Sequence, residues 1–504
     1  MRENWKRSPL NINYGLRLSI KECVLLHTRL DPLTPTMKVV EEEQLITVMD
    51  GPWSPTSLIR EIVEEGSQED PFYIMDLGEV VARYQRWKEL MPRVEPFYDP
   101  LSPFCFVKTT ILWSDRVFHE TPRTPFYQTV KCNDDKLLVS TLAALGTGFD
   151  CASKAEIELV TSIGVAPERI IFANPAKMAS HIRYASAAGV DVMTFDSETE
   201  LVKIKQYMPH AQLVIRIRCD AAAAQCPLGI KFGCDPVTEA PRLLKYAAVL
   251  GLEVIGVSFH VGSGTSETAV YARAIALSRA LFAAGRSAGH AAMRLLDIGG
   301  GFPGGSHTNI KEVSEVINAA LEEQFPDRSV RVIAEPGRYF AAAAYTLAAM
   351  VHAKRETHTM YFINDGVYGS FNCVLYDHQT VVAEPLNGPC SVWGPTCDGL
   401  DCVLGATRLP ALAAGDWLVF RDMGAYTLPV ASPFNGFPVP TVRPVVDTRL
   451  LRPLSASQFA ASRASSPAAP AGSPQPAAPP ALPQPAAPPA LPQPPPVFVE
   501  CALK

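Results

Sequence analysis

RIIFANPAKMASHIRYASAAGVDVMTF, residues 169–195, holds two apolar runs with a helical stretch between them. Each run is short and rich in β-branched or aromatic residues, and the middle carries apolar residues at helical spacing and closes on a glycine. A connector of this length with a helix inside it joins parallel strands, because a hairpin needs only a few residues. The pattern extends in both directions. Downstream runs read LVIRI (213–217), VIGVSFHV (254–261), LLDIGGG (295–301) and RVIAEPG (331–337), separated by stretches such as APRLLKYAAVLG (240–251) and VYARAIALSRALFAAG (270–285). Upstream, SKAEIELVTSI (153–163) adds another helix. Units of roughly 20 to 45 residues, each a strand then a helix, predict βα repeats and a parallel sheet. After about residue 341 the text changes to short strands with turn residues, as in MYFINDGVYGSF (360–371) and GDWLVFRDMGAYTL (415–428), which predicts an antiparallel β domain.

The expected organisation is an N-terminal extension without order (1–42), a strand and amphipathic helix (43–95), an inserted loop (96–124), the barrel (125–340), the β domain (341–450) and a Pro/Ala-rich disordered tail (451–504). Within the tail, PQPAAPPAL occurs at 474–482 and again at 483–491, a composition that builds neither helix nor sheet ladders. The 504 residues are 47% hydrophobic, enough for a large core, and the net charge of −6 argues against nucleic acid as a partner. No apolar run is long enough to cross a bilayer, and the N-terminus carries no secretory pattern. Twelve cysteines form no CxxC and no zinc spacing, so reduced thiols, a cytoplasmic location and no metal are expected.

In such a barrel the chemistry sits where strands end. Lys131, Asp150, Arg216, His260 with Ser263, the turn Gly299-Gly300-Gly301, and Glu335-Pro336-Gly337-Arg338 all close apolar runs. Glycines let backbone N–H groups approach a phosphate, arginine grips one with two donors, and lysine attacks an aldehyde. A carboxylate against a pyridine nitrogen keeps that ring an electron sink. Together these residues suggest pyridoxal 5'-phosphate.

VKCND (130–134), GTGFDCASKAEIELV (146–160), GVSFHVGSG (256–264), LLDIGGGFPG (295–304), AEPGRYF (334–340), NDGVYGSFNCVLYDH (364–378), WGPTCDGLD (393–401) and DMGAYT (422–427) strongly resemble the eukaryotic ornithine decarboxylase and antizyme inhibitor family, over about 43–445 in motif order. That resemblance implies a (β/α)8 barrel plus a β domain, and decarboxylation of a basic amino acid, foremost L-ornithine to putrescine. It implies that Lys131 holds the cofactor covalently, Glu335 pairs with the ring nitrogen and His260 stacks on the ring. Asp150 and Arg216 would set the charges around it. Ser263, Gly299, Gly300, Gly301, Pro336, Gly337, Arg338 and Tyr426 would surround the phosphate. Cys397 would donate a proton to Cα, Asp377 and Asp398 would pair with the distal amine, and Tyr376 and Asp401 would lie beside them.

By the same resemblance the active form is a homodimer in which each site borrows the partner's cysteine loop. A basic helix around NPAKMASHIRYA (174–185), with Lys177 and Arg183, would face antizyme. The rival expectation is an antizyme-binding regulator without activity, but the five positions at which losses would be expected, Asp150, Arg216, Arg338, Cys397 and Tyr426, are all kept. Altered specificity, for lysine, arginine or an apolar amino acid, is the third reading. Two departures stand out. The Pro/Ala tail replaces the family's usual C-terminal extension. Pro-Phe-Tyr appears twice, at 96–98 and 125–127, with three residues rather than the family's two between the second tyrosine and Lys131.

Overall fold

The computed structural model describes residues 17–19, 45–96, 132–219, 229–263, 267–383, 389–448 and 495–503. Lys131 and nearly all of the expected 96–124 loop therefore lie outside the described residues. The chain divides into two compact units, 1–68 with 446–497, and 69–445 with 498–504.

In the first unit, strand β1 (Arg17–Ser19) pairs antiparallel with β2 (Leu45–Met49), Arg17 opposite Thr47. So the expectation of an unstructured 1–42 fails at 17–19, where backbone pairing supplies order that composition did not signal. Helix α1 (Pro55–Glu64) starts on a reciprocal cap: the Ser57 N–H donates to Ser54 Oγ at 3.1 Å and the Ser54 N–H donates to Ser57 Oγ at 3.0 Å.

The second unit holds the barrel. Strand β3 (Phe72–Asp76) leads into helix α2 (Leu77–Leu90), whose first N–H groups are met by the Asp76 carboxylate. Then come β4 (Val94–Pro96), α3 (Lys136–Leu145), β5 (Phe149–Cys151), α4 (Lys154–Ser162), β6 (Ile170–Phe172), α5 (Ala179–Ala188), β7 (Val192–Phe195), α6 (Glu198–Tyr207) and β8 (Gln212–Arg218). The series continues with α7 (Ala240–Val249), β9 (Glu253–His260), α8 (Ala269–Ser287), β10 (Leu295–Asp297), α9 (Lys311–Gln324) and β11 (Arg331–Ala334). Eight parallel strands line up as β4-β11-β10-β9-β8-β7-β6-β5. All six apolar runs quoted above fall on strands of this sheet. They were legible because a parallel sheet covered on both faces needs apolar residues at nearly every position. Ile171, Ala173, Val214, Ile255, Leu295 and Ile333 form one buried cluster contributed by five strands, each large side chain worth about 1.5–3 kcal/mol of burial.

The barrel starts earlier than expected. Val94, Glu95 and Pro96, the last being the first residue of the upstream Pro-Phe-Tyr copy, form β4, which pairs in parallel with β11, Val94 opposite Val332 and Pro96 opposite Ala334. Its position is fixed by Trp87 on α2, buried against Phe302, whose indole N–H donates to the Val94 carbonyl at 3.0 Å.

The β domain continues with α10 (Gly337–Ala341), β12 (Tyr345–Arg355), β13 (Met360–Ile363), α11 (Asn372–Tyr376), β14 (Val381–Ala383), β15 (Pro389–Trp393), β16 (Cys402–Arg408), β17 (Trp417–Arg421), β18 (Thr441–Asp447) and β19 (Phe498–Leu503). Its sheet is mixed, a correction to the antiparallel expectation. β18 runs parallel to β3, β13 to β15 and β17 to β19, while β12 is antiparallel to β3, β13 and β17. β3 and β18 are separated in sequence by the whole barrel, and a connection of that length permits parallel pairing. β19 also corrects the expected tail. Residues 498–503 alternate half-buried and buried, with Val499, Cys501 and Leu503 inward, and they occupy a place in the sheet.

The basic helix is corrected as well. Lys177 is only 2% exposed; its ammonium donates to the Thr194 carbonyl at 2.6 Å and pairs with Glu200 at 2.9 Å, and burial pushes its pKa down to about 8. Arg183 remains exposed, its guanidinium 4.9 Å from the Tyr207 ring. Only one of the two cations faces water.

Candidate active site

The C-terminal ends of the barrel strands gather opposite charges. At the end of β10, Asp297 is buried and accepts the Gly299 N–H at 2.9 Å, while the Glu335 N–H donates to the Gly299 carbonyl at 2.7 Å. Burial is the main cause that pushes the Asp297 carboxyl up to about 7. Hydrogen bonds from the Gly299 N–H and from Glu335 hold it lower than burial alone would, Asp150 raises it and Arg216 lowers it. Asp150, Arg216, Asp297 and Glu335 therefore share one electrostatic neighbourhood, three carboxyls around one guanidinium, and the three carboxyls cannot all be ionised without cost. Arg216, at the end of β8, is buried.

Asp297 was not singled out from the sequence. It closes an apolar run, the same signal that picked out the others, but the glycines next to it drew the reading. A test follows. The unfolded chain loses the Asp297 proton near pH 4 and the native chain near pH 7, so the native state binds more protons in that window. Stability should fall as pH rises from about 4 to about 7, by up to about 4 kcal/mol. Asp297→Asn keeps an oxygen for the Gly299 N–H but has no proton to lose. Without cofactor, its Tm should exceed the parent's at pH 8 by a few degrees and converge with it near pH 4; parallel Tm curves across this range would contradict the assignment.

The glycine turn fits closely around the ring of His260. Gly299 and Gly301 hold φ of +63° and +102°, which favours glycine at both. A Cβ on Gly300 would lie 2.7 Å from His260 Nε2 and 2.9 Å from the Glu335 carbonyl, so a side chain there would enter the space between those two residues. The Gly262 N–H donates to His260 Nδ1 at 3.0 Å, leaving Nε2 to carry the proton of the neutral ring.

Arg338 lies on the short helix α10. Its Nη2 donates to Ser263 Oγ at 3.2 Å and to Asp377 Oδ2 at 2.5 Å, and its guanidinium lies 4.9 Å from the Tyr426 ring. Burial alone would drive its pKa down, but Asp377, Tyr426 and Cys132 outweigh that and move it up. Its Nε is buried with no hydrogen-bond partner among the described residues. Tyr426 sits at φ +58°, and desolvation of its half-buried side chain raises its hydroxyl pKa.

The residue after Lys131 is also placed here. The Cys132 carbonyl accepts the Tyr426 N–H at 2.8 Å, the Asn133 amide donates to the Gly424 carbonyl at 2.8 Å, and a Cβ on Gly337 would lie 3.0 Å from that of Cys132. Asp150, Arg216, His260, Ser263, Gly299, Gly300, Gly301, Glu335, Pro336, Gly337, Arg338, Tyr426 and Asp377 thus come together, while Lys131 is outside the described residues.

The cysteine loop stands apart. Cys397 is exposed and its N–H donates to Asn435 Oδ1 at 3.2 Å. Asp398 accepts the Tyr368 hydroxyl and the Leu400 N–H, and the Tyr368 bond holds its carboxyl below the usual range. Tyr376 is 68% exposed. Asp401 has a different task from the expected substrate contact. It is 1% exposed and its oxygens accept from the Val367 N–H, the Thr396 N–H and the Thr396 hydroxyl at 2.8, 3.0 and 2.6 Å, so it braces the loop. The described bonds of Cys397 and Asp398 stay within the β domain.

The anion grip of Arg338 and Ser263, the unpartnered Arg338 Nε and the close glycine turn beside His260 fit a phosphate group. Among the described residues no group of His, Cys, Asp and Glu could hold a metal, and no helix is long and apolar enough to cross a membrane.

Comparison with known proteins agrees with this arrangement. A family model described as "Pyridoxal-dependent decarboxylase, pyridoxal binding domain" matches residues 106–342. The chain is 46% identical over 407 residues to ornithine decarboxylase of Rattus norvegicus, covering 75% of this chain and 81% of that protein. It is 43% identical over 427 residues to antizyme inhibitor 2 of Xenopus laevis, covering 79% and 86%. Among solved structures, the arginine decarboxylase of Paramecium bursaria Chlorella virus bound to agmatine is similar with a TM-score of 0.67 and 36% identity, covering 77% of this chain and 99% of that one.

Proposed function

The chain belongs to the eukaryotic ornithine decarboxylase family of pyridoxal-dependent decarboxylases, and from that premise we propose that it converts L-ornithine to putrescine and carbon dioxide. One observation carries the reading: the half-buried Arg338 and Ser263 anion grip lies at the same strand ends as the Asp150, Arg216, Asp297 and Glu335 cluster. Arg338, Ser263, the glycine turn, Gly337 and Tyr426 would hold the phosphate. Lys131 would attach the cofactor, and His260 would cover one face of its ring. When bound, pyridoxal phosphate supplies a protonated aromatic ring that accepts the electron pair left as carbon dioxide departs.

The chain's own part is orientation and proton placement. Glu335, hydrogen-bonded to Asp297, keeps a proton at the ring nitrogen. Asp377 and Asp398 offer carboxylates to the distal ammonium, a cation that a buried site accepts only with acidic partners. Cys397 Sγ delivers the proton that replaces the carboxylate on Cα.

A homodimer is part of this reading. What supports it is the exposure of Cys397 and Leu400 on a loop whose described bonds do not reach Arg338. The second copy would bring that loop to the barrel mouth. Mixing inactive Lys131→Ala and Cys397→Ala proteins tests this. Random reassociation should restore roughly one quarter of the parent rate, because half the dimers then carry one intact site. No recovery after verified subunit exchange would refute shared sites.

The reading places the enzyme in the cytoplasm. Its direct test is carbon dioxide release from ornithine, lysine and arginine by the cofactor-loaded protein. Preference for lysine or arginine would redefine the substrate. Bound cofactor with no turnover would favour the second reading, an antizyme-binding regulator, which the likeness to antizyme inhibitor 2 keeps in view.

A further inference from the structure

β19 enters the sheet from the far side of a Pro- and Ala-rich stretch of sequence. It lies between β17 and β14, parallel to the first, with Trp417 opposite Phe498 and Arg421 opposite Ala502. To the second it is antiparallel, with Val381 opposite Leu503 and Ala383 opposite Cys501. Glu500 pairs with Arg421 across the first interface. Among the described residues, β14 pairs with no strand but β19.

β14 is not a remote edge. Val381 follows Asp377 by four residues, and the turn between them is tightly held. His378 takes a φ of +54°, the Gln379 N–H donates to the Cys373 carbonyl at 3.1 Å, and the Gln379 amide donates to the Asp377 carbonyl at 3.4 Å. Asp377 then holds Arg338 at 2.5 Å. A continuous path of backbone pairing and hydrogen bonds thus leads from β19 through β14 to the carboxylate assigned to the substrate.

We propose that residues 498–503 are a positioning strand for the active site: their docking orders β14 and the turn that presents Asp377, so affinity for the diamine end of the substrate depends on them. The mode is strand addition, in which main-chain hydrogen bonds supply the binding and alternate buried side chains, here Val499, Cys501 and Leu503, fix the register. Without it, β14 and one edge of β17 would keep unpaired N–H and C=O groups, and three residues of β14 cannot form a stable strand by themselves. The inference rests on the reading of Asp377 as a substrate carboxylate.

Binding coupling is reciprocal. If docking of β19 strengthens diamine binding, the diamine must tighten β19 by the same factor. In the cofactor-loaded full chain, saturating putrescine should slow amide exchange of 498–503 and 381–383 together, by about fivefold or more. Deleting 495–504 should raise the KM for ornithine by a similar factor while kcat changes less than about twofold, and a peptide PPVFVECALK added in trans should reverse the change. An unchanged KM in the folded deletion protein would overturn the proposal. So would putrescine binding that leaves 498–503 exchange unaltered, a readout that holds even where the deletion protein does not fold. Failure of the intact chain to decarboxylate ornithine would instead strike the functional reading. In that case, 381–383 amides that stay protected while 498–503 open would separately dispose of the positioning role.

Discussion

Lys131→Ala is expected to give a folded protein that binds pyridoxal phosphate without a covalent bond and turns over ornithine at least about a thousandfold more slowly, roughly 4 kcal/mol of barrier. The physical ground is the anchoring of the next two residues. Cys132 and Asn133 hydrogen-bond to Tyr426 and Gly424, and Cys132 abuts Gly337 beside the Arg338 grip. Chain geometry then holds the lysine Cα within about 3.8 Å of Cys132 Cα. This bears on the extra residue before Lys131. A strand's facing is set by register, and a one-residue slip reverses it, so labelling at residue 131 tests whether the lysine reaches the cofactor with three residues between it and Tyr127. Borohydride reduction followed by peptide mapping is the check. The parent should carry a cofactor label at residue 131 and the variant none; a label retained by the variant would mean another lysine does the work.

Arg338→Ala should be the next most damaging change. Three roles end together: a donor pair for an anion, the bond to Ser263 and the partner of a nearly buried Asp377. Removing one member of a buried ion pair leaves the other charged and desolvated, at a cost of about 3–5 kcal/mol. Pyridoxal phosphate affinity should fall by about two orders of magnitude or more, and apoprotein Tm should drop. Arg338→Lys should recover the stability in part, since a charge again faces Asp377, but little of the affinity, because an ammonium lacks the planar fork. Equal cofactor affinity in the alanine variant, measured by absorbance titration, would remove Arg338 from the phosphate site.

Much of the barrel was readable because its strands are buried on both faces and write long apolar runs that stop at a polar residue. Asp150, Arg216, His260 and Glu335 are those stops. What escaped reading depends on contacts distant in sequence. The side chain of Lys177 follows an exposed-looking polar stretch, yet turns inward because Glu200, on the next helix, and the Thr194 carbonyl offer it partners. The bracing role of Asp401 rests on N–H groups of residues 367 and 396, which no local pattern announces. β19 did carry a signal, the alternation in FVECAL, but the low-complexity text before it masked the change of period.

The ties from Cys132 and Asn133 to Tyr426 and Gly424 have a calorimetric meaning. The barrel backbone at Cys132 and Asn133 is stitched to the β domain, and Gly424 lies so close to the Ala341 carbonyl that a side chain there would collide. The barrel and the β domain of this unit therefore have no seam along which one could melt before the other. Heat should remove both in one transition, and saturating cofactor should move that transition as a whole by RT ln(1 + [L]/Kd), rather than splitting a cofactor-protected peak from an unprotected one.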